Sequence, residues 1–205
     1  MASEQVFFNG DAGRIEVFID SPAKTPRGLA LIAHPHPQFS GTADNKIVQT
    51  LAKSFVELGY IALRPNFRGV GESEGEYDRG NGETDDLVAV AAQARERFGD
   101  LPIALAGFSF GGYVQTRVAQ RVKPERMVLV APATGYLSGE RDYDTQPVPA
   151  DTLVIHGEKD ETVPLANVMD WARPQQLPVV VVPDAEHFFH HRLHIIKRLV
   201  QDAWH

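Results

Sequence analysis

Ser109 lies in Gly107-Phe108-Ser109-Phe110-Gly111, a serine with a glycine two residues to either side. A serine hydroxyl attacks a carbonyl when a base takes its proton and the backbone presents the oxygen outward. The glycines suit the second need. Without Cβ atoms they let a strand and a helix close tightly around a turn whose serine sits in an unfavourable φ/ψ region. The flanks agree, with an apolar run suited to a buried strand from Ile103 to Ala106 and a helix-compatible segment from Tyr113 to Arg121. A glycine-rich turn opening an ordinary helix would read the same over these five residues. The decision therefore rests on whether the chain supplies the other groups a nucleophile requires.

It does, downstream. Asp160 falls in Gly157-Glu158-Lys159-Asp160-Glu161-Thr162-Val163-Pro164, after the strand-like run Leu153 to His156. His187 falls in Pro183-Asp184-Ala185-Glu186-His187-Phe188, after the β-branched run Val179 to Val182. By itself Asp160 would serve as a helix cap or turn residue and His187 as a solvated loop histidine. Glu158 and Glu161 compete with Asp160 for the acid. Behind successive strands of one sheet, however, the three describe a hydroxyl, an imidazole and a carboxylate that relay a proton.

The elements that must position them alternate. Val6 to Phe8 and Arg14 to Ile19 read as a hairpin joined by Asn9-Gly10-Asp11-Ala12-Gly13. Leu29 to Ala33 is a continuous apolar run, the mark of a strand covered on both faces. It ends in His34-Pro35-His36-Pro37-Gln38-Phe39, a loop because two prolines remove backbone donors. An amphipathic helix is expected over Asn45 to Leu58, with Gly59 closing it, then a strand over Tyr60 to Leu63 and a polar loop from Arg64 to Gly82. Further helices are expected over Glu83 to Phe98, Leu165 to Ala172 and roughly His191 to Trp204, and a strand over Arg126 to Ala131. Strand alternating with helix predicts an α/β fold, a mostly parallel central sheet with an N-terminal antiparallel hairpin and helices on both faces. In such sheets, sites form at the carboxyl ends of the strands. With no repeat or linker, residues 1–205 read as one domain.

Composition closes other routes. A net charge of −7, with no run of Lys or Arg, argues against a nucleic-acid partner. No apolar run approaches the roughly 20 residues that span a bilayer, and Met1 to Gln5 lacks the features of a secretory signal, so a cytoplasmic protein without a membrane partner is expected. The absence of cysteine removes a thiol nucleophile and Cys–zinc sites. Gly69-Val70-Gly71, with Gly75 further on, has its third glycine misplaced for a dinucleotide loop, and no helix opens there. His187, His190, His191 and His194 recur at helical spacing, yet no carboxylate-plus-histidine signature accompanies them, and a helix start is the reading preferred over a metal site. No cofactor and no metal are expected, and nothing assigns an oligomeric state.

From about Leu29 to Trp204 the chain resembles the α/β-hydrolases, in particular small lidless bacterial serine hydrolases of the dienelactone-hydrolase-like and esterase-like kind. The resemblance lies in His34-Pro35-His36-Pro37, Asn66-Phe67-Arg68-Gly69-Val70-Gly71-Glu72-Ser73, Gly107 to Gly111, Gly157 to Asp160 and His187, in the chain order Ser, Asp, His. It departs where Pro35 replaces the usual Gly after His and Asn66 the usual Asp. Dienelactone hydrolases carry a Cys where Ser109 stands and haloalkane dehalogenases an Asp, so neither chemistry carries over. The resemblance implies a serine hydrolase for small carboxylic esters, thioesters or lactones, with Ser109, His187 and Asp160 as its triad. Its oxyanion hole would use the Phe110 N–H and a donor from the His34 loop. There only His36 and Gln38 retain an N–H, and the family's His-Gly-x pattern favours His36. A peptidase and a catalytically silent binding module remain the alternatives. Pro132 to Asp151 stands where larger hydrolases insert a lid; its shortness predicts a minimal cap and an open site for a small-molecule acyl substrate. Gln38, Phe39, Phe188 and Tyr136 are the expected pocket residues. Phe108 and Phe110 either line an apolar acyl pocket or belong to the core, and Arg68 is expected to brace loops.

Overall fold

The computed structural model describes residues 3–139 and 141–204. The N-terminal hairpin pairs β1 (Glu4–Gly10) with β2 (Gly13–Asp20). Six further strands complete one sheet: β3 (Gly28–Ala33), β4 (Tyr60–Pro65), β5 (Ile103–Phe108), β6 (Arg126–Val130), β9 (Leu153–Gly157) and β10 (Val179–Val182). Their order is β1-β2-β4-β3-β5-β6-β9-β10. β2 pairs antiparallel with both neighbours, and every pairing from β4 to β10 is parallel. Between β6 and β9 lies a small ribbon of β7 (Gly135–Leu137) and β8 (Arg141–Tyr143). The sequence showed a polar stretch there, because strands of three residues leave too few positions for alternation to register.

Among the described residues five α-helices cover the sheet: α1 (Lys46–Glu57), α2 (Asn81–Phe98), α3 (Phe110–Val122), α4 (Leu165–Ala172) and α5 (Leu193–Asp202). Alternation along β3 distributes the core. Leu29, Leu31 and Ala33 join the side that holds Leu87 and Val90 of α2 and Val114 and Val118 of α3. Ala30 and Ile32 join the side that holds Leu51 and Phe55 of α1 and Ile196 and Val200 of α5. Leu51 and Phe55 are wholly buried, which is worth about 2 kcal/mol for each side chain.

Local chemistry sets the boundaries. Asn45 caps α1, its side chain accepting the Ile47 N–H at 2.9 Å. α2 starts two residues before Glu83, whose buried carboxylate accepts the N–H groups of Asp78 and Gly80, both at 2.8 Å. α5 starts later than the histidine spacing suggests. Phe189 and His191 have left-handed backbone (φ 51° and 61°), so His187, His190 and His191 precede the helix. The four histidines therefore do not share a helix face. No described helix is long and apolar enough to cross a membrane.

Candidate active site

β5 ends at Phe108 and α3 begins at Phe110, leaving Ser109 alone to make the turn. Its backbone takes φ 55°, ψ −119°, a conformation that costs a non-glycine residue on the order of 1–3 kcal/mol. The turn is locked by Ser109 N–H donating to Val130 O at 3.0 Å and by Ser109 O accepting from Ala133 N–H at 3.0 Å. A Cβ on Gly107 would collide with the backbone of Gly111 and Gly112. One on Gly111 would collide with the carbonyls of Ala33 and His34. Gly107 thus lets β5 close against the start of α3, and Gly111 lets the end of β3 and His34 do the same.

The three residues from different loops meet. Ser109 Oγ lies 3.1 Å from His187 Nε2, and His187 Nδ1 lies 2.7 Å from Asp160 Oδ2. All three are buried. Asp160 Oδ1 accepts the N–H groups of Thr162 (2.9 Å) and Val163 (2.8 Å), so the carboxylate is fixed and aimed at the imidazole. The glutamates that competed for its place are elsewhere: Glu158 accepts the Asp184 N–H, and Glu161 is exposed. Phe108, fully buried, packs under the His187 ring at 4.9 Å. With the His187 Nδ1–H donated to the Asp160 carboxylate, Nε2 is left as the acceptor for the Ser109 hydroxyl.

Sequence reasoning missed His156, the last side chain of β9 before Gly157. It is wholly buried, with Nε2 2.9 Å from Val163 O and 3.6 Å from Asp160 Oδ2, while Nδ1 is buried without a partner among the described residues. Burial lowers its pKa against the opposing pull of Asp160. A histidine inside an apolar strand was the available signal.

The two N–H groups that the β3 loop retains are engaged differently. Gln38 N–H donates to His36 Nδ1 at 3.2 Å, which occupies it. Among the described residues no acceptor takes the N–H of His36 or of Phe110. Since Nδ1 accepts, the His36 proton sits on Nε2 and is donated to Tyr77 Oη at 3.1 Å. Burial, helped by the Arg141 charge, lowers the His36 pKa to about 4. His34 is wholly buried. Its Nδ1–H donates to Pro35 O at 2.6 Å, its Nε2 accepts the Phe67 N–H at 2.9 Å, and burial lowers its pKa to about 3.

The expected pocket residues do not line one concavity. Gln38 and Phe39 border a groove with His36, Tyr77, Arg79 and Arg141. Phe188 lines a separate depression with His187, Lys159 and Thr162. Tyr136 lies apart with Asn167 and Trp171, where Asn167 Nδ2 donates to its carbonyl at 2.9 Å. Phe39, Tyr136 and Phe188 are 63%, 66% and 47% exposed, so they rim an open surface rather than enclose a cavity. Phe108 and Phe110 belong to the core. Arg68 ties its loop to α2 rather than to another loop, its guanidinium donating to Asp86 at 2.8 and 2.9 Å and to Gly82 O at 2.9 Å.

A mostly parallel sheet, a strained serine between strand and helix, and an acid and a histidine following in that chain order define the α/β-hydrolase class of fold. The chain belongs to the α/β-hydrolase superfamily, and its residues 38–142 match the family described as serine aminopeptidase, S33. It is 36% identical to XC6422 of Xanthomonas campestris, an α/β serine hydrolase without lid, covering 99% of this chain and 94% of that one with a TM-score of 0.89. An α/β serine hydrolase homologue from Coxiella burnetii is 37% identical, covering 98% and 97%, with a TM-score of 0.88. An uncharacterized protein of Rickettsia prowazekii (strain Madrid E) is 30% identical over 208 residues, 97% of this chain and 87% of its own length. These likenesses make the protein a hydrolase.

Proposed function

We propose that this protein is a serine hydrolase that cleaves small carboxylic esters, thioesters or lactones through an acyl-enzyme. The observation that carries the reading is the His187 imidazole held between Ser109 Oγ and Asp160 Oδ2 at 3.1 and 2.7 Å. His187 Nε2 takes the hydroxyl proton as Ser109 Oγ attacks the acyl carbonyl, and Asp160 stabilises the imidazolium that forms. The proton passes to the leaving oxygen (or sulfur), which departs and leaves Ser109 acylated. Water then repeats the sequence with His187 as base, releasing the acid and restoring the hydroxyl. The oxyanion is met by the N–H groups of His36 and Phe110, the latter at the positive end of α3. The exposed rim of Phe39, Tyr136 and Phe188 supports small acyl substrates over long-chain lipids.

The family match to serine aminopeptidases raises peptide cleavage as a second reading. An aminopeptidase must hold a cationic terminus beside its nucleophile. The groove next to His36 offers two arginines instead, which favours the ester reading.

Labelling with a fluorophosphonate probe, with Ser109→Ala as control, tests the mechanism. The wild type should label and the variant should not; an unlabelled wild type would leave a binding module. Among p-nitrophenyl esters, rates should peak at short acyl chains, and amino-acid p-nitroanilides should turn over poorly. Rates still rising at dodecanoate, or p-nitroanilides cleaved faster than esters, would overturn the substrate class.

A further inference from the structure

The groove beside His36 takes no part in the proton relay. Its walls come from three separated segments: His36 and Gln38 after β3, Tyr77 and Arg79 in the loop before α2, and Arg141 and Tyr143 on β8. It encloses about 390 Å³, enough for a small acyl group. Its polar groups are mostly donors. Arg79 and Arg141 are permanently charged. Arg141 Nε donates to Ser138 O at 2.9 Å and its guanidinium lies 4.8 Å over the Phe39 ring, which fixes the plane of the fork. Alternation along β8 turns Arg141 and Tyr143 toward the protein and leaves Asp142 exposed. Among the described residues Asp142 is the only carboxylate on the rim.

Tyr77 adds a donor. Its oxygen receives the His36 Nε2 proton, so its own O–H is available, and burial, with Tyr143 beside it, pushes its pKa up to about 12. The depressed pKa of His36 owes part of its shift to Arg141, as expected of a local positive field. Arg79 is held with φ 55°, a costly conformation for arginine. In a chain of net charge −7, two arginines on one concavity are a local reversal of sign.

We propose that this groove binds a carboxylate carried on the acyl part of the substrate, with Arg79 and Arg141 as the residues that select it. The inference rests on the serine-hydrolase reading, because His36 is then both the groove wall and an oxyanion donor. The natural substrates are accordingly half-esters, half-thioesters or lactones of dicarboxylic acids rather than neutral esters.

p-Nitrophenyl hemisuccinate and p-nitrophenyl butyrate have acyl chains of equal length and differ in the terminal charge. The wild-type kcat/KM for the hemisuccinate should exceed that for butyrate by about tenfold or more, the factor of one charge-assisted hydrogen bond. That ratio should fall about tenfold in both Arg79→Gln and Arg141→Gln. A wild-type ratio of one or less, or a ratio unmoved in both variants, overturns the proposal and leaves the hydrolase reading standing. Should the variants fail to fold, inhibition of wild-type butyrate hydrolysis decides. Glutarate inhibiting and glutaramide not supports the groove; equal inhibition sinks it. If neither ester is turned over and the probe does not label, the hydrolase reading fails. The groove is then judged by glutarate's effect on the wild-type Tm. A rise that the double Gln variant loses retains the carboxylate site; no rise removes it.

Discussion

Replacing His34 by Gln measures what a neutral buried histidine contributes to stability. Both ring nitrogens are engaged, Nδ1 as donor to Pro35 O and Nε2 as acceptor from Phe67 N–H, so a second proton would have to break the bond to Phe67. Burial lowers the folded pKa to about 3, whereas the unfolded histidine titrates near 6.5. Between those values the unfolded chain binds more protons, so stability falls as pH falls from about 6.5 and levels off near the folded pKa. At about pH 5 the unfolded state gains RT ln(1 + 10^1.5), about 2 kcal/mol, from this one residue. Any folded value below about 4 leaves that figure unchanged, because the folded imidazole is then neutral at the measuring pH. Gln can accept the Phe67 N–H and does not titrate. Urea denaturation followed by tryptophan fluorescence at about pH 7.5 and 5 should show the wild type losing about 2 kcal/mol more than His34→Gln on acidification. Losses equal to within about 0.5 kcal/mol would refute the reasoning, since every other titrating group is common to both proteins.

Three other substitutions probe separate parts of the argument. Asp160→Asn keeps an oxygen for the Thr162 and Val163 N–H groups but turns the His187 tautomer, and kcat on short p-nitrophenyl esters should fall roughly 10³–10⁴-fold with little change in Tm. Asp86→Ala strands the nearly buried Arg68 guanidinium and should cost about 3–5 kcal/mol in urea denaturation, whereas the double change Arg68→Met with Asp86→Leu should recover most of it. Asn66→Asp removes an amide that donates to the buried Glu16 Oε2 at 2.6 Å and sets two carboxylates against each other, at a cost of about 2–4 kcal/mol. Adding Glu16→Gln should return more than half of that loss; no recovery would place the defect elsewhere.

What the sequence made legible follows from how local each cause is. The turn at Ser109 is specified within five residues, and the glycine contacts repeat that logic in three dimensions. The boundary of α1 was legible because Asn45 and Gly59 act on neighbouring backbone. Asp160 and His187 could be placed because strand ends are countable and the sheet is parallel. What stayed hidden depends on contacts between distant segments. The β7–β8 ribbon carries no periodicity, yet it delivers Arg141 to a groove whose other arginine comes from the loop before α2. His156 showed only as a polar interruption in a strand, since its proximity to Asp160 arises from the loop folding back on β9. Asn66 is the most instructive departure. The resemblance to the α/β-hydrolases leads one to expect Asp there, and nothing nearby in the sequence explains Asn. In the fold the side chain meets Glu16 of β2, which also accepts the Glu72 N–H at 3.0 Å and Gln5 Nε2 at 2.6 Å. With a buried carboxylate already supplied from the hairpin, an aspartate at 66 would leave two negative charges sharing too few donors. The amide supplies the missing donor to Glu16 and keeps an oxygen for the Ala43 N–H at 2.8 Å. The substitution is thus answered by a residue fifty positions away, on a strand that pairs with the one Asn66 follows.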